Sequence, residues 1–152
     1  MNTATPRSTA VQPALIHDVL GMTHRYQTSA AHSGSAFTSF EAEIPPGCGS
    51  PLHRHERDTE FFYVLAGEIM FVNAEGQRVC KAGESAYLPA GKEHGFHNAS
   101  NELARAFVVV SPGAEAEQFF AAIDAAQRQQ SMDVTIVSAI AQRYGITILA
   151  SG

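Results

Sequence analysis

From Met22 to Val110 the chain is a succession of short stretches rich in β-branched and aromatic residues, each cut by turn residues before it reaches helical length. "MTHRYQTSA" and "SAFTSFEAEI" lead to the break "PPGCGSP", and "EFFYVLAG" ends at Gly67. "EIMFVNAEGQRVCKAG" reads as a hairpin about "NAEG", and "ESAYLPAG" stops at Pro89 and Gly91. "HGFHNAS" and "ARAFVVVSP" close the series. Proline removes a backbone donor and glycine admits unusual backbone angles, so these breaks end strands. Six to eight such strands predict an antiparallel sandwich or barrel. No long helical pattern separates them, which argues against a parallel α/β sheet.

After Pro112 the period changes. In "GAEAEQFFAAIDAAQRQ", Ala116, Phe119, Phe120 and Ile123 recur at helical spacing, with Glu115 and Glu117 in the first turn opposing the helix dipole. "SMDVTIVSAIAQRYG" predicts a second helix with Ser131 or Asp133 as its cap and Gly145 just past its end. "ITIL" at 146–149 reads as a last short strand. The expected layout is a flexible N-terminal arm over 1–20, a barrel over 21–112, and a helical extension over 113–152 packed on the barrel, all one domain.

Charged residues make up 16% of the 152 residues, below the roughly 25% of an average soluble protein. Together with an apolar N-terminal strand, this predicts a homodimer. The net charge of −5 and the absence of basic runs exclude nucleic acid and anionic membrane surfaces as expected partners. No window approaches the ~18 consecutive apolar residues of a membrane span, and no secretory signal is read at the N-terminus. Cys48 and Cys80 have no paired spacing, so the expectation is two reduced thiols in a cytoplasmic protein.

The polar residues of "PLHRHERDTEFF" carry the chemistry. His53 and His55 alternate, so on a strand they share a face, whereas Glu60 has the opposite parity. Glu56 and Asp58 are alternatives to Glu60, and the order of residues alone does not rank them. His17, His24 and His32 fit no spacing and read as ordinary histidines.

Two longer patterns contain these residues. Residues 47–67 read G-x5-H-x-H-x4-E-x6-G, and residues 83–98 read G-x5-P-x-G-x2-H-x3-N, with 15 residues between Gly67 and Gly83. These resemble the two motifs of the cupin superfamily over roughly residues 40–110. The resemblance implies an all-β, double-stranded β-helix (jelly-roll) barrel with two short C-terminal helices, similar to the small quercetin-dioxygenase-like members. It implies that His53, His55, Glu60 and His94 bind one divalent transition metal, whether Fe, Mn, Ni, Cu or Zn. Such a set leaves one or two coordination positions open, as a catalytic site requires. Glu60 and the two histidines are expected to meet across a β-hairpin, with "ERDT" as the bend that resets the parity.

Strand parity places Phe62 and Val64 beside Glu60, and Phe96 and Asn98 beside His94, as an expected pocket wall. Arg105, in an otherwise apolar strand, is expected to face a substrate carboxylate. The function these features imply is a metal-dependent dioxygenase acting on a small, partly aromatic or enol-type substrate, with Glu60 as ligand or base. The alternatives are a non-catalytic module that binds a small molecule and, more weakly, a sugar isomerase or epimerase.

Overall fold

The structure, a computed structural model, describes residues 15–149; most of the expected N-terminal arm, residues 1–14, lies outside them. The end of that arm is a strand instead. β1 (Ile16–Val19) turns through Leu20 and Gly21 and pairs with β2 (Met22–Thr28). Leu20 and Gly21 both have positive φ (54° and 88°). Within β1, His17 and Val19 are buried while Ile16 and Asp18 are exposed. Four residues are too few for that alternation to stand out in the sequence.

A one-turn helix, α1 (Ala30–Ser33), follows, started by Ser29, whose side chain accepts from His32 N. The sequence carries no period for so short an element. The strand series then runs as the turn residues dictate. It comprises β3 (Thr38–Ile44), β4 (Gly49–His55), β5 (Thr59–Ala66), β6 (Glu68–Asn73), β7 (Gly76–Lys81), β8 (Ser85–Leu88), β9 (His94–His97) and β10 (Ala104–Ser111). Gly47, Gly67, Gly83 and Gly91 all have φ between 70° and 90°, the left-handed conformation in which a side chain is strained.

The strands form two sheets, β1-β2-β3-β10-β5-β8 and one that begins with the last strand, β11 (Ile146–Ile148), in the order β11-β4-β9-β6-β7. All described pairings are antiparallel. The chain changes sheet after β3, β4, β5, β7, β8, β9 and β10, which makes a jelly roll. The core lies between the sheets. Ile44, Val64, Ile69, Val108 and Val110 are fully buried there, each such side chain contributing about 1.5–3 kcal/mol.

Two further helices close the sandwich. In α2 (Ala114–Gln127), Ala116, Phe119, Phe120 and Ile123 are buried. α3 (Val134–Gln142) buries Val137, Ile140 and Ala141 and is capped by Asp133, which accepts from Ile136 N at 2.9 Å. The start of α2 is satisfied from far away in the chain. The buried carboxylate of Asp58, between β4 and β5, accepts from Gly113 N at 2.9 Å and from Ala116 N at 3.1 Å. Asp58 is therefore occupied in holding α2, which removes it as an alternative to Glu60.

Candidate metal centre

His53, His55, Glu60 and His94 converge in the interior, all at most 7% exposed. Each offers one donor atom, and the four atoms lie within 4.8 Å of one another. The assembly differs from the expected hairpin. β4 and β5 do not pair, because they belong to opposite sheets. His53 and His55 project inward from one sheet and Glu60 projects inward from the other, with residues 56–58 carrying the chain across. His94 is the neighbour in the plane of the sheet, since it lies directly opposite His53 in the β4–β9 pairing. On the far side of β4, Ile146 and Ile148 of β11 pair with His55 and His53 and hold the ligand strand from its other edge.

The contacts at the centre test whether a metal fits. His55 Nε2 is 3.2 Å from His53 Nε2 and 3.3 Å from Glu60 Oε1, and His94 Nε2 is 2.9 Å from Glu60 Oε2. Cis ligands on bonds of about 2.1 Å are separated by about 3 Å, so the spacing is that of a coordination shell. His53 Nδ1 donates to the Pro51 carbonyl at 2.9 Å, and His94 Nδ1 faces the Lys92 carbonyl at 3.4 Å. Those outer bonds place the proton on Nδ1 and leave the Nε2 lone pair aimed inward, the arrangement of metal-ligating imidazoles. Lone pairs would then confront lone pairs and a carboxylate in a water-poor interior. A cation at the centre satisfies all of them. Imidazole with one carboxylate suits first-row divalent metals.

Burial keeps the His53 ring neutral, its protonation pushed down to about 4. Burial alone would raise Glu60, but the facing His55, and then His94, bring it down to about 2. His53 and Glu60 are thus in their ligand forms, neutral imidazole and ionised carboxylate, near pH 7.

The cluster opens on a cavity of about 70 Å³, the liquid volume of about two waters. Beyond the ligands its wall is formed chiefly by Phe40, Phe62, Phe96, Phe119, Phe120 and His24. Among the described residues no lysine, arginine or aspartate lines it.

Of the residues expected on this wall, Phe62 and Phe96 are there, 5.3 Å apart between ring centroids. Val64, Asn98 and Arg105 are not. Val64 is fully buried in the core away from the cavity. Asn98 donates to the carbonyls of Ile44 and Glu102, both at 2.8 Å, and so ties a loop to the end of β3. Arg105 points outward. Ala104, Ala106 and Val108 take the inward positions of β10, and the guanidinium pairs with Glu41 on the outer face at 2.6 Å. Its charge is therefore neutralised outside the cavity.

The residues that sequence reasoning missed are Phe119 and Phe120, which read as helix packing only, and His24. Met22, His24 and Tyr26 alternate inward on β2, so His24 occupies a core position. A polar residue at core parity was the signal available for it.

The cupin domain family matches residues 40–110 of this chain, the stretch that carries all four residues of the cluster. The chain carries a cupin domain. Among known relatives, the oxalate-binding protein of Thermotoga maritima is 29% identical to this cupin over 101 residues, 62% of this chain and 83% of that protein. A sugar phosphate isomerase of the cupin superfamily from Silicibacter pomeroyi DSS-3 is 28% identical with a TM-score of 0.52, covering 60% of this chain and 59% of that one. The match thus spans less than two thirds of the isomerase. The polyketide cyclase RemF of Streptomyces resistomycificus shares the fold at a TM-score of 0.56 and 24% identity, over 70% of this chain and 79% of the cyclase. No described helix is long and apolar enough to cross a membrane, and Cys48 and Cys80 are both free.

The buried histidines set the acid stability of this cupin in its metal-free form. His24 is lowered to about 3 by burial, then by the neighbouring His17, against a smaller opposing pull from Glu60. The unfolded chain takes up this proton near pH 6.5, the folded chain only near 3, so acid favours unfolding. His53 acts in the same sense down to about 4. The urea midpoint of metal-free protein is expected to be level from pH 8 to 7 and to fall steadily from about 6.5 to 4. A midpoint that holds level to pH 4 would contradict burial of neutral imidazoles.

Proposed function

We propose that this cupin is a metal-dependent dioxygenase acting on a small, partly aromatic or enol-type molecule, with a divalent transition metal held by His53, His55, Glu60 and His94. One observation carries the reading. A fully buried His3Glu cluster faces an aromatic cavity without a cationic side chain to receive a phosphate or a second carboxylate. The metal, when bound, supplies Lewis acidity and a place for dioxygen chemistry in its open positions. The chain's own residues do the rest. Phe62, Phe96 and Phe120 exclude water and take the apolar body of the substrate. Glu60, ionised and 2.9 Å from His94 Nε2, is the nearest carboxylate to accept a proton from an enol or phenol. Dioxygen is the oxidant and both of its atoms enter the product, so no reductant is needed.

Binding without catalysis is the second reading, favoured by the oxalate-binding relative. Sugar isomerisation is supported less, because the wall lacks the charged groups that sugars and their phosphates demand. Oxygen uptake separates these readings. With protein loaded with Fe, Mn, Ni or Cu, a panel of flavonols, small diketones and thiols is expected to contain a substrate that consumes one equivalent of dioxygen per equivalent turned over. No uptake with any metal and any member of the panel would leave the binding module.

We also propose that the protein works as a homodimer in a reducing cytoplasm. The free cysteines support the compartment. The outer face of the six-stranded sheet supports the dimer. There Phe61, Tyr63 and Leu65 of β5 lie exposed beside Tyr87 of β8, itself 68% exposed, in one apolar patch. Sedimentation at micromolar concentration is expected to give twice the 16.3 kDa chain mass, and a Tyr63→Arg variant the chain mass alone. A wild type that sediments as a single chain would refute the dimer.

A further inference from the structure

We propose that His24 contacts the ligand of this cavity and reads one uncharged oxygen on it. The site then selects a small molecule with a metal-coordinating end, an apolar body and a neutral polar group, such as a β-diketone, an enol or a hydroxylated ring, over a dicarboxylate. The inference rests on the metal-site reading above.

His24 stands apart from the other buried polar groups. It is 4% exposed, and its Nδ1 has no hydrogen-bond partner. Buried polar atoms are nearly always paired, so an unpaired one in a residue that lines the cavity marks a place for a partner. Its cross-strand neighbour His17 shows the ordinary solution, with Nδ1 3.2 Å from the Tyr26 hydroxyl. His55 Nδ1 is the other such atom, but it belongs to a residue of the cluster.

The ring is also held rigidly. Phe40 stacks on it at 4.3 Å and 18°, and Phe120 meets it edge-on at 4.6 Å and 89°. Both phenylalanines line the same cavity, so the clamp presents the imidazole to whatever lies there. Among the described lining residues outside the cluster, the other polar side chain is Ser50, whose hydroxyl is engaged by Phe96 N at 3.3 Å.

The chemistry of the partner follows. A neutral imidazole carries one N–H donor and one lone pair. It can satisfy a carbonyl, an enol or a phenol. Burial pushes its protonation down to about 3, so it brings no positive charge near pH 7. A second carboxylate would be desolvated there without a counter-charge, and a pure hydrocarbon would leave Nδ1 unpaired.

The test uses zinc-loaded protein, with zinc content measured first, and calorimetric titration with acetylacetone and with oxalate. Wild type, His24→Phe and His24→Gln are all expected to hold the same zinc. His24→Phe is expected to bind acetylacetone about tenfold more weakly, the loss of one buried hydrogen bond. His24→Gln, which keeps a donor and an acceptor, stays within about threefold of wild type, and oxalate affinity changes less than twofold in either. Unchanged acetylacetone affinity in His24→Phe, an equal loss for oxalate, or no acetylacetone binding by zinc-loaded wild type would overturn the role of His24. A second measurement needs no stable Phe variant. In ¹⁵N-histidine spectra of zinc-loaded wild type, the His24 ring resonances, assigned by their loss in His24→Gln, are expected to shift on adding acetylacetone. Their failure to move overturns the role as well. Absence of zinc in wild type would sink the metal reading itself, and the zinc assay separates that result from the others.

Discussion

His94→Ala is expected to abolish stoichiometric metal binding. Wild-type protein incubated with Zn²⁺ or Fe²⁺ and freed of excess should retain about one equivalent, and the variant less than about a tenth. The cause is geometric. His94 Nε2 lies 2.9 Å from Glu60 Oε2, and its loss leaves two imidazoles and a buried carboxylate with one side of the shell open. The same experiment reads on stability. A metal present at a thousand times its Kd adds about 4 kcal/mol to the folded state, which for a chain of this length raises Tm by about 10 °C. The variant should lose that metal-dependent rise while melting cooperatively without metal, because the two sheets do not depend on this ring. A wild type whose Tm ignores every first-row divalent metal, and which retains none, would refute the centre.

The second large effect is expected at a glycine on an unspecified position of the first motif. A Cβ on Gly49 would stand 2.1 Å from the Phe96 carbonyl oxygen and 2.8 Å from His97 Cα. Both are backbone atoms of the paired strand and cannot rotate away, so β4 and β9 must separate. Overpacking ordinarily costs about 1–3 kcal/mol, and here the fixed backbone puts Gly49→Ala at or above the upper end. Tm should fall by roughly 10 °C. Metal affinity should fall with it, since β4 carries His53 and β9 carries His94. Gly47→Ala supplies the contrast. It is a motif position with φ of 80° but open space around its Cβ, so only the backbone strain of about 1–2 kcal/mol applies. Thermal melts of the two variants should rank Gly49→Ala as the more damaging. The reverse order would mean that β4 and β9 are not in such close contact.

That ranking bears on what could be read before folding. Gly47, Gly67, Gly83 and Gly91 were legible as turn residues because a positive φ is a local demand, answered by the residue at that position. The demand on Gly49 is set by a strand 47 residues away and leaves no trace in its neighbours. The strand at 59–66 was legible for the same local reason, since Glu60, Phe62 and Val64 alternate with Phe61, Tyr63 and Leu65. β1 and α1 were not, being too short to show a period. Arg105 was misplaced because an isolated charge in an apolar run looks buried; the inward positions belonged to its neighbours, and Glu41 on the next strand was there to pair with it.

The four residues of the cluster were picked out by the resemblance of residues 47–67 and 83–98 to the two cupin motifs; the residues by themselves left Glu56 and Asp58 open beside Glu60. How the four meet was not legible. Parity states which face of a strand a residue occupies but not which sheet the strand joins. The change of parity between His55 and Glu60 is equally consistent with a hairpin and with a crossing between sheets. Long-range pairing chose the crossing, as β4 found β9 and β11 while β5 found β8 and β10. The cavity beside the cluster arises the same way. Helix α2 folds back after the barrel and brings Phe120 against His24, so a histidine with no motif becomes a wall of the site. The motif resemblance pointed to the chemistry at the centre. What surrounds that centre depends on contacts between residues far apart in the chain, which only packing of the whole chain brings together.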